Sequence, residues 1–136
     1  MNVFRDGNRI ELLRSGVEYF PALEAAIDGA QLEIHLETYI FADDPSGRRI
    51  AAALARAAGR GVAVRLLIDG FGSKELDDGV LDEMRACGVE VLKYRPEISP
   101  WTFRRQRLRR MHRKIAVIDA RVAFVGGINV IDDMET

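Results

Sequence analysis

The chain has one cysteine, one tryptophan, two histidines and four prolines in 136 residues. A single thiol, Cys87, closes no intramolecular disulfide, so no disulfide framework holds the fold. Cys87 falls in a helical pattern and reads as a small core hydrophobe. The two histidines, His35 and His112, fall on different expected strands, and Cys87 has no His or Cys nearby. That offers no zinc-type ligand set, and no metal or cofactor is expected. No apolar run exceeds strand length, which excludes a membrane-spanning helix in this sequence. Residues Met1 to Gly7 lack the apolar centre of a secretory signal. A cytoplasmic setting fits these absences.

What is present is globular in composition, 48% hydrophobic and 30% charged, enough for one domain with a real core. The net charge of −1 hides an asymmetry. Arg104, Arg105, Arg107, Arg109, Arg110, Arg113 and Lys114 fall within 104–114 with no acid among them, so the rest of the chain is strongly acidic. A basic run this dense suits phosphate, carried by lipid headgroups or by nucleic acid. The plainer alternative is a solvated surface stretch.

Helical and strand patterns alternate. Ile10–Leu13 reads as a short first strand. Ser15 with Glu18 matches a capping box, opening a helix to about Ile27 that tolerates Pro21 or kinks at it. Residues 32–41 alternate apolar and polar, a period of two that marks a strand. Residues 41–47 read as a loop, and Arg48 to about Ala58 as a helix stopped by Gly59 and Gly61. Val62–Ile68 is a nearly continuous apolar strand of the buried, parallel kind. Asp69 to Ser73 is a glycine-rich loop, followed by a helix from about Asp77 to Ala86, Gly88, and a strand at Val89–Tyr94. Arg95–Arg110 is irregular and long for a connection. Lys114–Ile118 and Val122–Val125 read as strands joined by a tight turn at Asp119 to Arg121. This alternation predicts an α/β fold with a mostly parallel mixed sheet flanked by helices.

The chemistry concentrates at the C-terminal end, in His112-x-Lys114-x4-Asp119-x6-Gly126-Gly127-x-Asn129. In an extended segment His112 and Lys114 project from one face. The ammonium would neutralise phosphate oxygens while an imidazole nitrogen attacks phosphorus. Asp119 has the opposite parity and reads as a residue that orients or anchors the turn. Gly126 and Gly127 let backbone N–H groups approach an anion, and Asn129 adds an amide donor. Six fixed positions make a chance match improbable, although a lone His-x-Lys would mean nothing.

Other positions carry weaker signals. Glu37 and Tyr39 lie on the polar face of their strand, facing either a site or solvent. His35 shares that face and reads as structural. Asp69, Gly70 and Gly72 follow a strand's C-terminal end, where open α/β sheets bind ligands, or they simply turn the chain. Trp101 and Phe103, beside arginines, fit a membrane interface, base stacking or a core.

His112, Lys114 and Asp119 resemble the HKD motif of the phospholipase D superfamily, and Gly126, Gly127 and Asn129 its trailing Gly-Gly-x-Asn. The wording of residues 111–119 and 122–129, with Leu36–Phe41 and Ile68–Ser73, is similar to bacterial cardiolipin synthases. The resemblance implies a phosphatidyltransferase with a phosphohistidine intermediate. It implies His112, Lys114 and Asp119 as catalytic residues and Lys114, Gly127 and Asn129 around the substrate phosphate. It further implies no metal, phosphatidylglycerol as substrate, and a peripheral place on the cytoplasmic face of the inner membrane. Such synthases carry two HKD motifs and this chain carries one. It is therefore expected to be the N-terminal half of a longer chain, truncated after the motif, that needs a second half in cis or by homodimerisation. The alternatives are a single-motif homodimeric phosphodiesterase acting on nucleic acid, and an inert module for anionic surfaces.

Overall fold

A computed structural model describes residues 6–94 and 112–132. The basic run from Arg104 to Arg110, Trp101 and Phe103 lie outside the described residues.

Five strands form one mixed sheet. In chain order they are β1 (Glu33–Thr38), β2 (Ala63–Asp69), β3 (Glu90–Tyr94), β4 (Lys114–Ile118) and β5 (Val122–Val125), and their order across the sheet is β3-β2-β1-β4-β5. β1 pairs in parallel with β2, and β2 with β3. β4 runs antiparallel to β1, and β5 to β4. The helices are α1 (Ser15–Asp28), α2 (Pro45–Gly59) and α3 (Asp78–Ala86). Right-handed crossovers place α2 and α3 on the same face. α2 packs on β2 and α3 on β3, with α1 against α2 and α2 against α3, so the helices form one layer.

The strand alternation decides what meets that layer. Ile34, Leu36, Leu66, Ile68, Ala116 and Ile118 are buried beneath Phe20, Leu23 and Ile27 of α1, Ile50 and Leu54 of α2, and Leu81 and Met84 of α3. Each full burial of a large apolar side chain contributes roughly 1.5–3 kcal/mol. Residues of opposite parity, such as His35, Arg65 and Leu92, lie on the other face. Among the described residues no helix is long and apolar enough to cross a membrane.

Four sequence expectations need correction. Ile10–Leu13 forms no strand, and Ile10 and Leu12 are 94% and 82% exposed. Apolar alternation is not enough without a sheet edge to receive it. The capping box is offset: Glu18 accepts from the Arg14 backbone N–H, while Ser15 Oγ accepts from Val17. α2 begins at Pro45 rather than Arg48, because Asp44 caps it by accepting from the Gly47 N–H at 2.8 Å and proline suits the first helical position. Cys87 is exposed, since α3 ends at Ala86 before its apolar stripe reaches it.

Candidate active site

The site lies at the edge of the sheet where the parallel strands β1 and β2 end. β4 enters beside it, its Lys114 opposite Thr38 at the end of β1. The next residue of the β1 segment, Tyr39, meets both candidate side chains. The His112 imidazole stacks on the Tyr39 ring, with centroids 4.2 Å apart and planes 14° from parallel. Lys114 Nζ lies 5.9 Å from the centre of the same ring, within cation–π range, and donates to the His112 carbonyl at 3.1 Å. His112 and Lys114 therefore do converge, around an aromatic ring.

Asn129 reaches this edge by a separate route. Beyond β1 the chain bridges Phe41 in parallel to Val130, with Ala42 N–H donating to the Val130 carbonyl at 2.8 Å and Val130 N–H to Ile40 at 3.0 Å. This sets Asn129 Oδ1 3.0 Å from the Ile40 N–H and 3.5 Å from Thr38 Oγ1. A backbone N–H only donates, so the atom facing it is the amide oxygen, which leaves Nδ2 as the donor available to a ligand. Neither Gly126 nor Gly127 is demanded by the fold. Among the described residues a Cβ at either meets nothing within 4 Å, and neither has a left-handed φ.

Asp119 does not join them. It lies five positions beyond Lys114 along β4, a span of roughly 17 Å. At that opposite sheet edge its carboxylate accepts from Gln31 N–H at 2.9 Å, Leu32 at 2.7 Å and Glu33 at 2.9 Å, while its own N–H donates to the Glu33 carbonyl. This geometry sets Asp119 apart from the His112–Lys114 pair: it anchors the β4–β5 turn, in which it and Ala120 are both left-handed, and holds β4 in register on β1. The hydrogen bonds from Gln31, then Glu33 and Leu32, hold its carboxyl below the usual carboxylate range. A depressed pKa stabilises the fold above the unfolded value near 4, and this contribution is lost as pH falls through the folded value. Asp119→Asn is therefore expected to lower the urea midpoint at pH 7, with the gap to the parent narrowing below about pH 4. A gap independent of pH would contradict this account.

Of the weaker candidates, Glu37 borders the site indirectly, pairing at 3.4 Å with Arg113 between His112 and Lys114. His35 stays away from it on the open face, 3.5 Å from Glu33. Asp69 is fully buried and opens the glycine-rich loop, accepting at Oδ2 from Phe71 N–H and at its carbonyl from Ser73 N–H. Among the described residues no three His, Cys, Asp or Glu side chains converge as a metal site. Sequence reasoning missed Thr38 and Ser73. Thr38 is an inward-facing polar residue at a strand end, which was a readable signal. Ser73 Oγ accepts from Phe41 N–H and donates to the Tyr39 carbonyl, both at 2.9 Å, and nothing in the linear sequence pairs those segments.

Comparison with known proteins identifies the family of the chain. The family described as "Cardiolipin synthase, PLD-like domain" matches residues 23–133. Cardiolipin synthase B of Escherichia coli K12 is 48% identical over 126 residues, which is 93% of this chain and 30% of that protein. Cardiolipin synthase 1 of Bacillus anthracis is 36% identical over 128 residues, 94% of this chain and 25% of that protein. The chain thus spans less than a third of these curated relatives. Among solved structures, Nuc of Salmonella typhimurium, a phospholipase D family member, superposes with a TM-score of 0.63 at 22% identity, covering 89% of this chain and 71% of that one. That likeness concerns the fold. The chain belongs to the phospholipase D-like domain family of cardiolipin synthases.

Proposed function

We propose that this chain is one half of a phosphatidyltransferase of cardiolipin synthase type. The observation that carries the reading is the meeting of His112, Lys114 and Asn129 at one sheet edge, in a chain of this family. In this reading an imidazole nitrogen of His112 attacks the phosphorus of phosphatidylglycerol. An N–P bond forms, the P–O bond to the glycerol headgroup breaks, and an acid of a second half protonates the departing oxygen. The hydroxyl of a second phosphatidylglycerol then attacks phosphorus, the N–P bond breaks, and its proton returns to that acid. The products are cardiolipin and glycerol. Lys114 neutralises charge on the phosphoryl oxygens, with Asn129 Nδ2 and the Gly127 N–H as further donors, each contribution of this kind being worth roughly 10²–10³ in rate. Asp119 acts only by holding β4.

The second half comes from elsewhere in a longer chain or from a second copy. The substrate reading places the site against an anionic membrane, at its cytoplasmic face. The test compares this chain with a version extended in its native reading frame, each incubated with phosphatidylglycerol vesicles and with plasmid DNA. Cardiolipin and glycerol from the extended form support the proposal. DNA cleavage by the short form, lost in His112→Ala and without lipid turnover, replaces it with a homodimeric phosphodiesterase.

A further inference from the structure

We infer that Tyr39 is a positioning residue for the nucleophile, and that Gly72 and Ser73 form the seat that holds it. This rests on the reading of His112 as the attacking group. His112 precedes β4 and is exposed, and no described residue bonds either ring nitrogen. Its imidazole is held instead by its face, on the Tyr39 ring. The nitrogen lone pairs lie in the imidazole plane, so a parallel stack fixes the plane of attack and leaves both nitrogens available. Attack on phosphorus needs such alignment, and a misplacement of about 1 Å costs roughly 100-fold in rate. Lys114 Nζ lies near the same ring, so Tyr39 also sets the spacing between the nucleophile and the charge beside it.

Tyr39 is itself fixed from the glycine-rich loop. A Cβ at Gly72 would lie 2.5 Å from the Tyr39 carbonyl oxygen and 2.8 and 2.9 Å from ring atoms Cε2 and Cδ2. Only glycine admits that approach without displacing the tyrosine. Ser73, 5% exposed, bonds the Tyr39 carbonyl and the Phe41 N–H through one hydroxyl, pinning the backbone on both sides. Ser73 N–H is in turn held by the Asp69 carbonyl at 2.9 Å. A line of contacts therefore runs from the end of β2, through the loop, to the imidazole.

The chain's two histidines make the test direct. In proton NMR the stacked ring displaces the His112 carbon-bound protons upfield, while His35, away from Tyr39, reports on the fold. Tyr39→Leu should return the His112 signals toward free histidine and leave His35 unmoved. Tyr39→Phe should preserve them, and Gly72→Ala should disturb His112 through the displaced ring. In the extended enzyme Tyr39→Leu should lower kcat roughly 100-fold with KM little changed, and Tyr39→Phe should restore most of it. His112 signals indifferent to Tyr39→Leu overturn the inference, as does a phenylalanine variant as impaired as the leucine one. If the parent enzyme transfers no phosphatidyl group, the functional reading fails, and the NMR arms still decide the positioning role.

Discussion

His112→Ala is expected to remove the covalent intermediate altogether, with a loss of turnover of at least roughly 10⁴-fold. The reason is stoichiometric: the methyl group left behind offers no atom to bond phosphorus. Labelled phosphatidylglycerol mixed with the extended enzyme, quenched and digested, should give a phosphorus-bearing peptide around residue 112. Its bond should survive alkali and break in acid, as an N–P bond does. His35→Ala is the matched control, since His35 lies on the open sheet face beside Glu33 and should leave labelling intact. Lys114→Ala keeps the nucleophile and removes the neutralising charge, so labelling should persist at a rate lowered by roughly 10²–10³. A labelled peptide in the His112→Ala enzyme would move the covalent step to the other half of the site.

Gly47→Ala is expected to be strongly destabilising for a single added methyl. A Cβ there would lie 1.8 Å from the Ala42 carbonyl oxygen and 2.9 Å from its carbon. Both are backbone atoms, so no side-chain rotation relieves the clash. Gly47 also donates to the Asp44 cap, so the first turn of α2 cannot shift without losing that bond. Overpacking of this kind costs about 3 kcal/mol or more, a fall in Tm of about 10 °C for a domain this size. Urea and thermal unfolding measure it, with Gly126→Ala as comparison, since a methyl there meets nothing within 4 Å among the described residues and should leave stability near the parent value. The damage should also reach the site. Ala42 is bonded to Val130, and moving it withdraws the support that sets Asn129.

The sheet was readable from side-chain parity because burial on one face makes period two strict, as in Ile34, Leu36 and Thr38 of β1. Residues 10–13 are apolar enough to read as a strand, but a strand exists only where another offers backbone groups, and that partner is not a local property. The Asp43 to Gly47 segment read as loop because Asp, Pro, Ser and Gly serve turns and helix starts equally, and only the Asp44 bond to Gly47 distinguishes them. At the site, His112 and Lys114 were legible because their chemistry lies in the side chains and their spacing is short. The stack on Tyr39 and the Ser73 bridge were not. They depend on the register that brings residues 39, 73 and 112 together, which no local pattern encodes.

The clamp of Asp119 on residues 31–33 joins positions 86 to 88 apart in sequence. The parallel pairs β1–β2 and β2–β3 each close across a single helix, whereas β4 must return past all of that structure to reach β1. Loop closure over such a length costs more entropy before any contact repays it, so β4 is expected to dock after the parallel pairs. The helices and the parallel strands are therefore expected to form first, as a platform that holds Tyr39 but neither His112 nor Lys114. His112 and Lys114 would then meet Tyr39 only when β4 docks, so the site is expected to assemble after the parallel strands.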